Sequence, residues 1–361
     1  MSDALIKYLR ETVEQTPLSV AQYMKVALSH PKHGYYSTQP AIGADGDFIT
    51  APEISQLFGE MLASLLTHIW QLSGAPEAVL FEAGPGRGTL LADMDRTYQK
   101  LAPDLAAQDW ILLEASALMQ DQQKAALSHR KSTHIQNLSE LPQRPLFGVA
   151  NEFFDALGVN QAVFKDGKWH HRNIIWEGDG FTFHTGAALT RAEIDQISAP
   201  QIAADNDVIE HSPDAESIMQ ELAAHIARFG GALLICDYGK YGNTGDTLQA
   251  VQNHKPVPFF SALGRCDLTH WVDFAALAKI ADMAGARLIG PQPQGICLRQ
   301  LGIEARAEQL RKTEDPVTNR SLFASLERLL SPSQMGQVFK IALLVPQGEG
   351  TPPGFFPEEA N

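Results

Sequence analysis

The stretch Val79-Leu-Phe-Glu-Ala-Gly-Pro-Gly-Arg-Gly-Thr-Leu90 constrains this chain more than any other. It begins with a short apolar run, residues 78–81, that reads as a buried strand, and Glu82 sits at its end. Gly84, Gly86 and Gly88 follow in alternation, and after Thr89 the apolar residues recur at helical spacing. Strand, glycine turn and helix in that order open a doubly wound nucleotide-binding sheet. The glycines let the backbone turn sharply and let a ligand approach with no Cβ in the way.

The spacing bears on which ligand. A dinucleotide fingerprint needs G-x-G-x-x-G. Thr89 stands where its third glycine belongs, which disfavours an NAD-dependent oxidoreductase. What stands here is G-x-G-x-G-T behind an acid, the pattern of S-adenosylmethionine (SAM) methyltransferases with a Rossmann-like α/β sheet. SAM has no pyrophosphate to grip. It carries an amino-acid end and a sulfonium charge, so an acid such as Glu82 suits the loop. The expected cofactor contacts are Glu82, Gly84, Gly86, Gly88 and Thr89. The plainer alternative is a tight turn with no ligand. The next strand, 110–116, reaches Glu114 near its end. An acid there hydrogen-bonds ribose hydroxyls in such folds, because a carboxylate accepts two bonds side by side; otherwise it simply faces water.

The 361 residues suffice for one large domain or two smaller ones. The net charge of −14 disfavours a general nucleic-acid binder and is compatible with a basic protein substrate. Cys236, Cys266 and Cys297 are isolated, so neither a metal site nor a disulfide framework is expected. No apolar run reaches membrane-spanning length, so no membrane insertion is expected. The first ten residues lack a signal-peptide core and the composition of a transit peptide, and a cytoplasmic location is the default expectation.

Along the chain, residues 1–75 read as an N-terminal helical and lid region. Two helices are expected over 4–29, with Pro17 opening the second. Tyr35 and Tyr36 end an aromatic turn, and Pro52 and Glu53 open a helix with the face Ile54, Leu57, Phe58, Met61 and Leu65. With the glycine-rich loop 43–46 between them, these four residues read either as a substrate-side lid or as ordinary surface and packing. Residues 76–160 and 205–346 read as the methyltransferase core. Residues 161–204 read as an antiparallel insertion with turns at Asp166-Gly167 and Gly178-Asp-Gly180. Residues 347–361 read as a mobile tail. His170 and His171 read as solvated strand positions. Strands are expected at 146–152, ending in Asn151 and Glu152 with Phe153, Phe154 and Asp155 just beyond, and at 231–236, followed by Asp237. In an open α/β sheet the ligand crevice lies at these carboxyl ends.

Several blocks together resemble the MidA family of SAM-dependent methyltransferases. They are Pro31-Lys-His-Gly-Tyr-Tyr36, Pro52-Glu-Ile-Ser-Gln56, Glu82 to Thr89, Ala150-Asn-Glu-Phe-Phe-Asp-Ala-Leu157, Asp237-Tyr-Gly239, Thr247-Leu-Gln-Ala250 and Asp267-Leu-Thr269 with Val272-Asp-Phe274. The resemblance spans about residues 16–345. It implies a class I methyltransferase sheet with added helical and hairpin elements, SAM as donor, and a protein arginine on a 49 kDa-type subunit of NADH:quinone oxidoreductase as acceptor. One departure is Gly158, where the family more often has proline.

Methyl transfer from a sulfonium is an in-line displacement, and positioning alone supplies about 7–11 kcal/mol of such a barrier. A guanidinium is a poor nucleophile with a delocalised charge. Carboxylates paired with it bidentately fix its plane and localise that charge. Glu152 and Asp155 are the expected guanidinium partners, with Asp237 a further acid, Asn151 a positioning residue, and Phe153 or Phe154 a wall. Asp155 could instead cap a following helix. His211 reads as a proton acceptor or as a partner of a loop carbonyl, and Asp267 as an N-cap. Two other readings stay open: a SAM enzyme for a small molecule, and an assembly chaperone that holds a partner. The oligomeric state is not fixed by the sequence, and a homodimer is among the options.

Overall fold

A computed structural model describes residues 2–38, 50–242, 245–311 and 316–356. The chain divides into two compact units. One comprises Met1–Phe48, Asp155–Ser217 and Tyr241–Ala275, and the other Ile49–Phe154, Ile218–Lys240 and Ala276–Asn361.

The second unit carries the nucleotide-type sheet. Among its described residues are the strands β1 (Val79–Ala83), β2 (Asp109–Leu113), β3 (Ser132–Ile135), β4 (Leu146–Asn151), β5 (Gly231–Lys240), β6 (Ala286–Pro293) and β7 (Phe339–Pro346). They lie in the order β6-β7-β5-β4-β1-β2-β3. Strands β1 to β5 pair in parallel, and β7 runs antiparallel to both β5 and β6. Every residue of β1 is buried, as a strand covered on both faces requires. The chain leaves β1 toward β2 and β3 on one side and resumes at β4 on the other. The ends of β1 and β4 therefore form the topological switch point where such sheets bind ligands.

Helix Gln56–Leu72 packs Leu57, Phe58, Met61, Leu62 and Leu66 into the core of this unit with Leu80, Met94, Trp110 and Phe147. It does not start at Pro52, as expected from the sequence. A four-residue turn, Ala51–Ile54, holds Pro52, and the chain then extends at Ser55. The Ser55 hydroxyl accepts the Leu57 N–H at 3.3 Å and begins the long helix anew. Similarly, the helical region after residue 294 is two helices, Gln294–Gln300 and Ile303–Arg311, separated at Gly302 with φ of 86°.

In the first unit, helices Ser2–Gln15 and Val20–Ser29 bury Leu5, Leu9, Val20, Tyr23 and Met24. The second begins at a Ser19/Gln22 capping box rather than at Pro17. Strands Asn160–Lys165, Lys168–Glu177 and Gly180–Ala188 form the expected antiparallel ribbons. Asp166 and Gly167 both have positive φ at the first turn, as a type I′ hairpin demands. Strands Val208–His211 and Leu18–Ser19 complete that sheet. A Cβ at Gly158 would sit 2.8 Å from the Ala21 carbonyl oxygen, so helix and chain approach there only because the residue is glycine. The loop 43–46 and residues 357–361 lie outside the described residues. No described helix is long and apolar enough to cross a membrane.

Candidate active site

The glycine turn follows β1 in a sharply bent path. Gly84, Gly86 and Gly88 have φ of 61°, 53° and 84°, a region L-residues avoid. The Gly84 N–H donates to the Leu113 carbonyl at 3.0 Å, which ties the turn to the end of β2. Gly88 is the N-cap of helix Thr89–Leu101 and provides no side-chain cap. The first N–H groups of that helix are thus left to face a ligand. Added Cβ atoms would meet Phe153 Cδ2 at 2.9 Å from Gly84, and Ala126 Cβ at 3.0 Å from Gly88. Gly84 and Gly88 can therefore carry no side chain without displacing a neighbour. Thr89 Oγ1 donates to the Glu53 carboxylate, which brings the short Ala51–Ile54 turn to the start of the helix. Pro52 is buried beside it.

Glu82 lies beneath the turn, 2% exposed, and its Oε2 has no hydrogen-bond partner among the described residues. Burial pushes its carboxyl up to about 8. A buried carboxyl with an orphaned oxygen calls for a cation, and both the ammonium and the sulfonium of SAM are cations. At the end of β2, Glu114 accepts the Ser116 N–H at 2.7 Å through Oε1 and the Gln123 amide at 3.0 Å through Oε2. Burial raises its proton affinity, and these hydrogen bonds oppose the rise. The Ala115 backbone is a further donor to it, and a carboxylate so held still has acceptor capacity. The orphaned acid, the glycine-rich bend and the braced second acid fit SAM.

Beside this bend, Asn151 ends β4 and Glu152 follows at φ of 47°, a left-handed conformation unusual for a non-glycine residue. Its N–H donates to the Cys236 carbonyl at 2.8 Å. Phe153 packs edge-on against Phe154 with ring centres 5.4 Å apart. Phe154 is fully buried, which leaves the half-buried Phe153 as the ring against the glycine turn. Asp237 is fully buried at β5; one oxygen accepts the Phe154 N–H and the other the Tyr238 N–H, both at 3.0 Å. It holds the turn that presents Glu152.

In the first unit, Asp155 is 4% exposed, and its carbonyl accepts the His270 N–H at 3.2 Å. No helix follows it, so it is not a helix cap. Tyr36 donates its hydroxyl to Asp267 at 3.0 Å and stacks edge-on with the buried Tyr35. Burial first, then the charges of Asp267 and Asp155, push the Tyr36 phenol well above its ordinary range. Asp267 is not an N-cap: it lies in strand Asp267–Thr269, and Asp273 accepts the Ala275 N–H at the helix start instead. Strand-end His211 is shifted down by burial, then by His171, and its Nδ1 is buried without a partner among the described residues. His171 pairs with Glu193, and no described His, Cys, Asp and Glu residues gather as a metal site.

Sequence reasoning missed Gln123. It is fully buried and reaches both the glycine turn and Glu114. The signal was present: Met119, Gln123 and Leu127 recur every four residues, so the glutamine stands on the buried face of its helix.

The sequence matches, over residues 61–292, the family described as "Putative S-adenosyl-L-methionine-dependent methyltransferase". A Drosophila melanogaster relative named protein arginine methyltransferase NDUFAF7 homolog, mitochondrial, is 34% identical over 371 residues, covering 95% of this chain and 85% of its own. The Homo sapiens protein arginine methyltransferase NDUFAF7, mitochondrial, is 32% identical over 372 residues, covering 95% and 83%. A crystal structure of a Burkholderia thailandensis protein bound to S-adenosyl-homocysteine matches with a TM-score of 0.86 at 25% identity, covering 98% of this chain and 95% of that one. The mitochondrial names of the relatives overturn the cytoplasmic location expected from the N-terminal sequence. That default rested on the missing leader composition of ten residues, which says little about compartment. The chain belongs to this family of SAM-dependent methyltransferases, and S-adenosyl-L-methionine is its methyl donor.

Proposed function

We propose that the acceptor is a protein arginine, and that Glu152 holds its guanidinium. The observation that carries this reading is the turn after β4. There a non-glycine acid is kept in a left-handed backbone conformation, one residue before the ring that touches the donor turn. Strain of this kind costs on the order of 1–3 kcal/mol and persists where the surroundings over-determine it. Here Asp237 supplies the determination, through the Phe154 N–H.

The donor supplies an electrophilic methyl on a positively charged sulfur. The chain must supply the rest. A carboxylate at Glu152 accepts two N–H groups from one edge of the guanidinium and leaves the opposite nitrogen to attack. Asn151 offers an amide to orient the same group, and Phe153 gives it a flat wall. Asp155, three residues further along the chain, is the second acid of the expected pair. Glu82, Gly84, Gly86, Gly88, Thr89 and Glu114 hold the donor. Pro52 and Glu53 cover the start of the helix that follows the glycine turn, through the Thr89 hydroxyl. The names of the relatives support the arginine, and the family resemblance supports a subunit of NADH:quinone oxidoreductase as the protein that bears it.

The test is Glu152→Gln, which keeps shape and removes charge. S-adenosyl-homocysteine should bind to it within about twofold of the wild-type affinity, while turnover falls by about a hundredfold or more, as when a group acting in the transition state is lost. Wild-type turnover in that variant would remove Glu152 from the mechanism.

A further inference from the structure

Gln123 sits on helix Ala117–Ala126, fully buried, and its side-chain amide is committed on every side. The amide nitrogen donates to the Gly86 carbonyl at 2.8 Å and to Glu114 Oε2 at 3.0 Å. The amide oxygen lies 2.9 Å from Nε2 of His134 on β3. With both amide hydrogens engaged, that oxygen can only accept, so His134 must carry its proton on Nε2. His134 thereby fixes which way round the amide sits. The same helix presses on the turn a second time, where a Cβ at Gly88 would meet Ala126 at 3.0 Å and Gln123 Cα at 3.5 Å.

We infer that Gln123 is a positioning residue of the donor site: it clamps the glycine turn and the carboxylate of Glu114 together, so that Glu114 meets the ribose as a pre-oriented, charged acceptor. The inference rests on the reading of Glu114 as the ribose acid. Ser116 takes one oxygen of the carboxylate and Gln123 the other, with the Ala115 backbone as a further donor, so that the acid meets the ribose already oriented. Without the amide, the carboxyl is free to turn. Burial then favours its protonated form, which presents one acceptor fewer. On the other arm, the Gly86 carbonyl is turned toward Gln123, and the trans peptide points the next N–H the opposite way. One side chain thus sets both the loop and the acid, and His134 sets that side chain.

The test compares S-adenosyl-homocysteine with its 2′-deoxyribose analogue, by calorimetry, in wild type, Gln123→Met and His134→Phe. Methionine keeps the length of the side chain and removes its hydrogen bonds. Wild type should prefer the ribose form. In Gln123→Met the ratio of the two dissociation constants should shrink by about tenfold or more, the size expected when a hydrogen bond to a charged group is lost. In His134→Phe, at a part-exposed position, it should shrink in the same direction by less. If Gln123→Met weakens both ligands equally, or neither, Gln123 is only a packing residue and the inference fails. Should Gln123→Met not fold, an unchanged ratio in His134→Phe overturns it by itself. If wild type does not distinguish the two ligands, the reading of Glu114 fails instead.

Discussion

Glu82 shows most plainly how one residue states a requirement for a ligand. Its carboxyl stands at about 8 in place of its ordinary 4.5, with burial as the cause. Between those values the folded chain holds a proton that the unfolded chain has lost. The contribution is therefore fully present below about 4.5 and disappears as pH rises toward 8, so the donor-free protein loses stability over that window. A cation beside the carboxyl favours the charged form and reverses the preference. SAM binding at pH 7 should release about one proton, read by calorimetry in buffers of different ionisation enthalpy. Glu82→Gln should release none, and equal release by both proteins would assign the proton to another group. The bend from Glu82 through the three glycines into a helix was legible because its spacing is local, and Glu114 because it closes the next strand. The burial of Gln123 could be read from its helical spacing, but nothing in its own neighbourhood says that Gly86 lies across from it.

At the scale of elements, the start of helix Thr89–Leu101 decides whether the donor has a cradle. Gly88 caps it at φ of 84° with Ala126 within contact of any added Cβ. Gly88→Ala should cost about 1–2 kcal/mol in chemical denaturation, from the left-handed backbone, and should weaken donor binding as well. A variant as stable as wild type would mean that the turn tolerates a different path. Helix starts were the least legible features of the fold. Pro17 drew the second helix too early, although Ser19 and Gln22 spell a capping box. Pro52 similarly hid Ser55, whose side-chain bond to Leu57 restarts the helix. In each case a local side-chain hydrogen bond outweighed the general preference of proline for a first turn. Asp267 went the other way: pairing with strand Gln249–Gln252, distant in sequence, drew it out of the cap position its neighbours suggested.

For the molecule as a whole, a Rossmann-like α/β sheet was legible in the sequence, but its strand order and the division into two units were not. Each unit is assembled from three separate segments, and the pairing of Leu18 with Ile174 links residues that no local pattern connects. The net charge of −14 acts at this scale too. An acidic surface draws a basic protein acceptor and is screened by salt. Raising ionic strength should lift the KM for a basic acceptor several-fold while the dissociation constant for S-adenosyl-homocysteine changes little. A KM indifferent to salt would leave the charge as a matter of solubility alone. The central claim joins a donor at the glycine bend to a guanidinium at Glu152. Its most direct test is mass spectrometry of the 49 kDa-type subunit after incubation with the protein and SAM bearing an isotopically labelled methyl. The prediction is label on an arginine nitrogen with wild type and none with Glu152→Gln; label on another residue type, or equal labelling by both proteins, would contradict it.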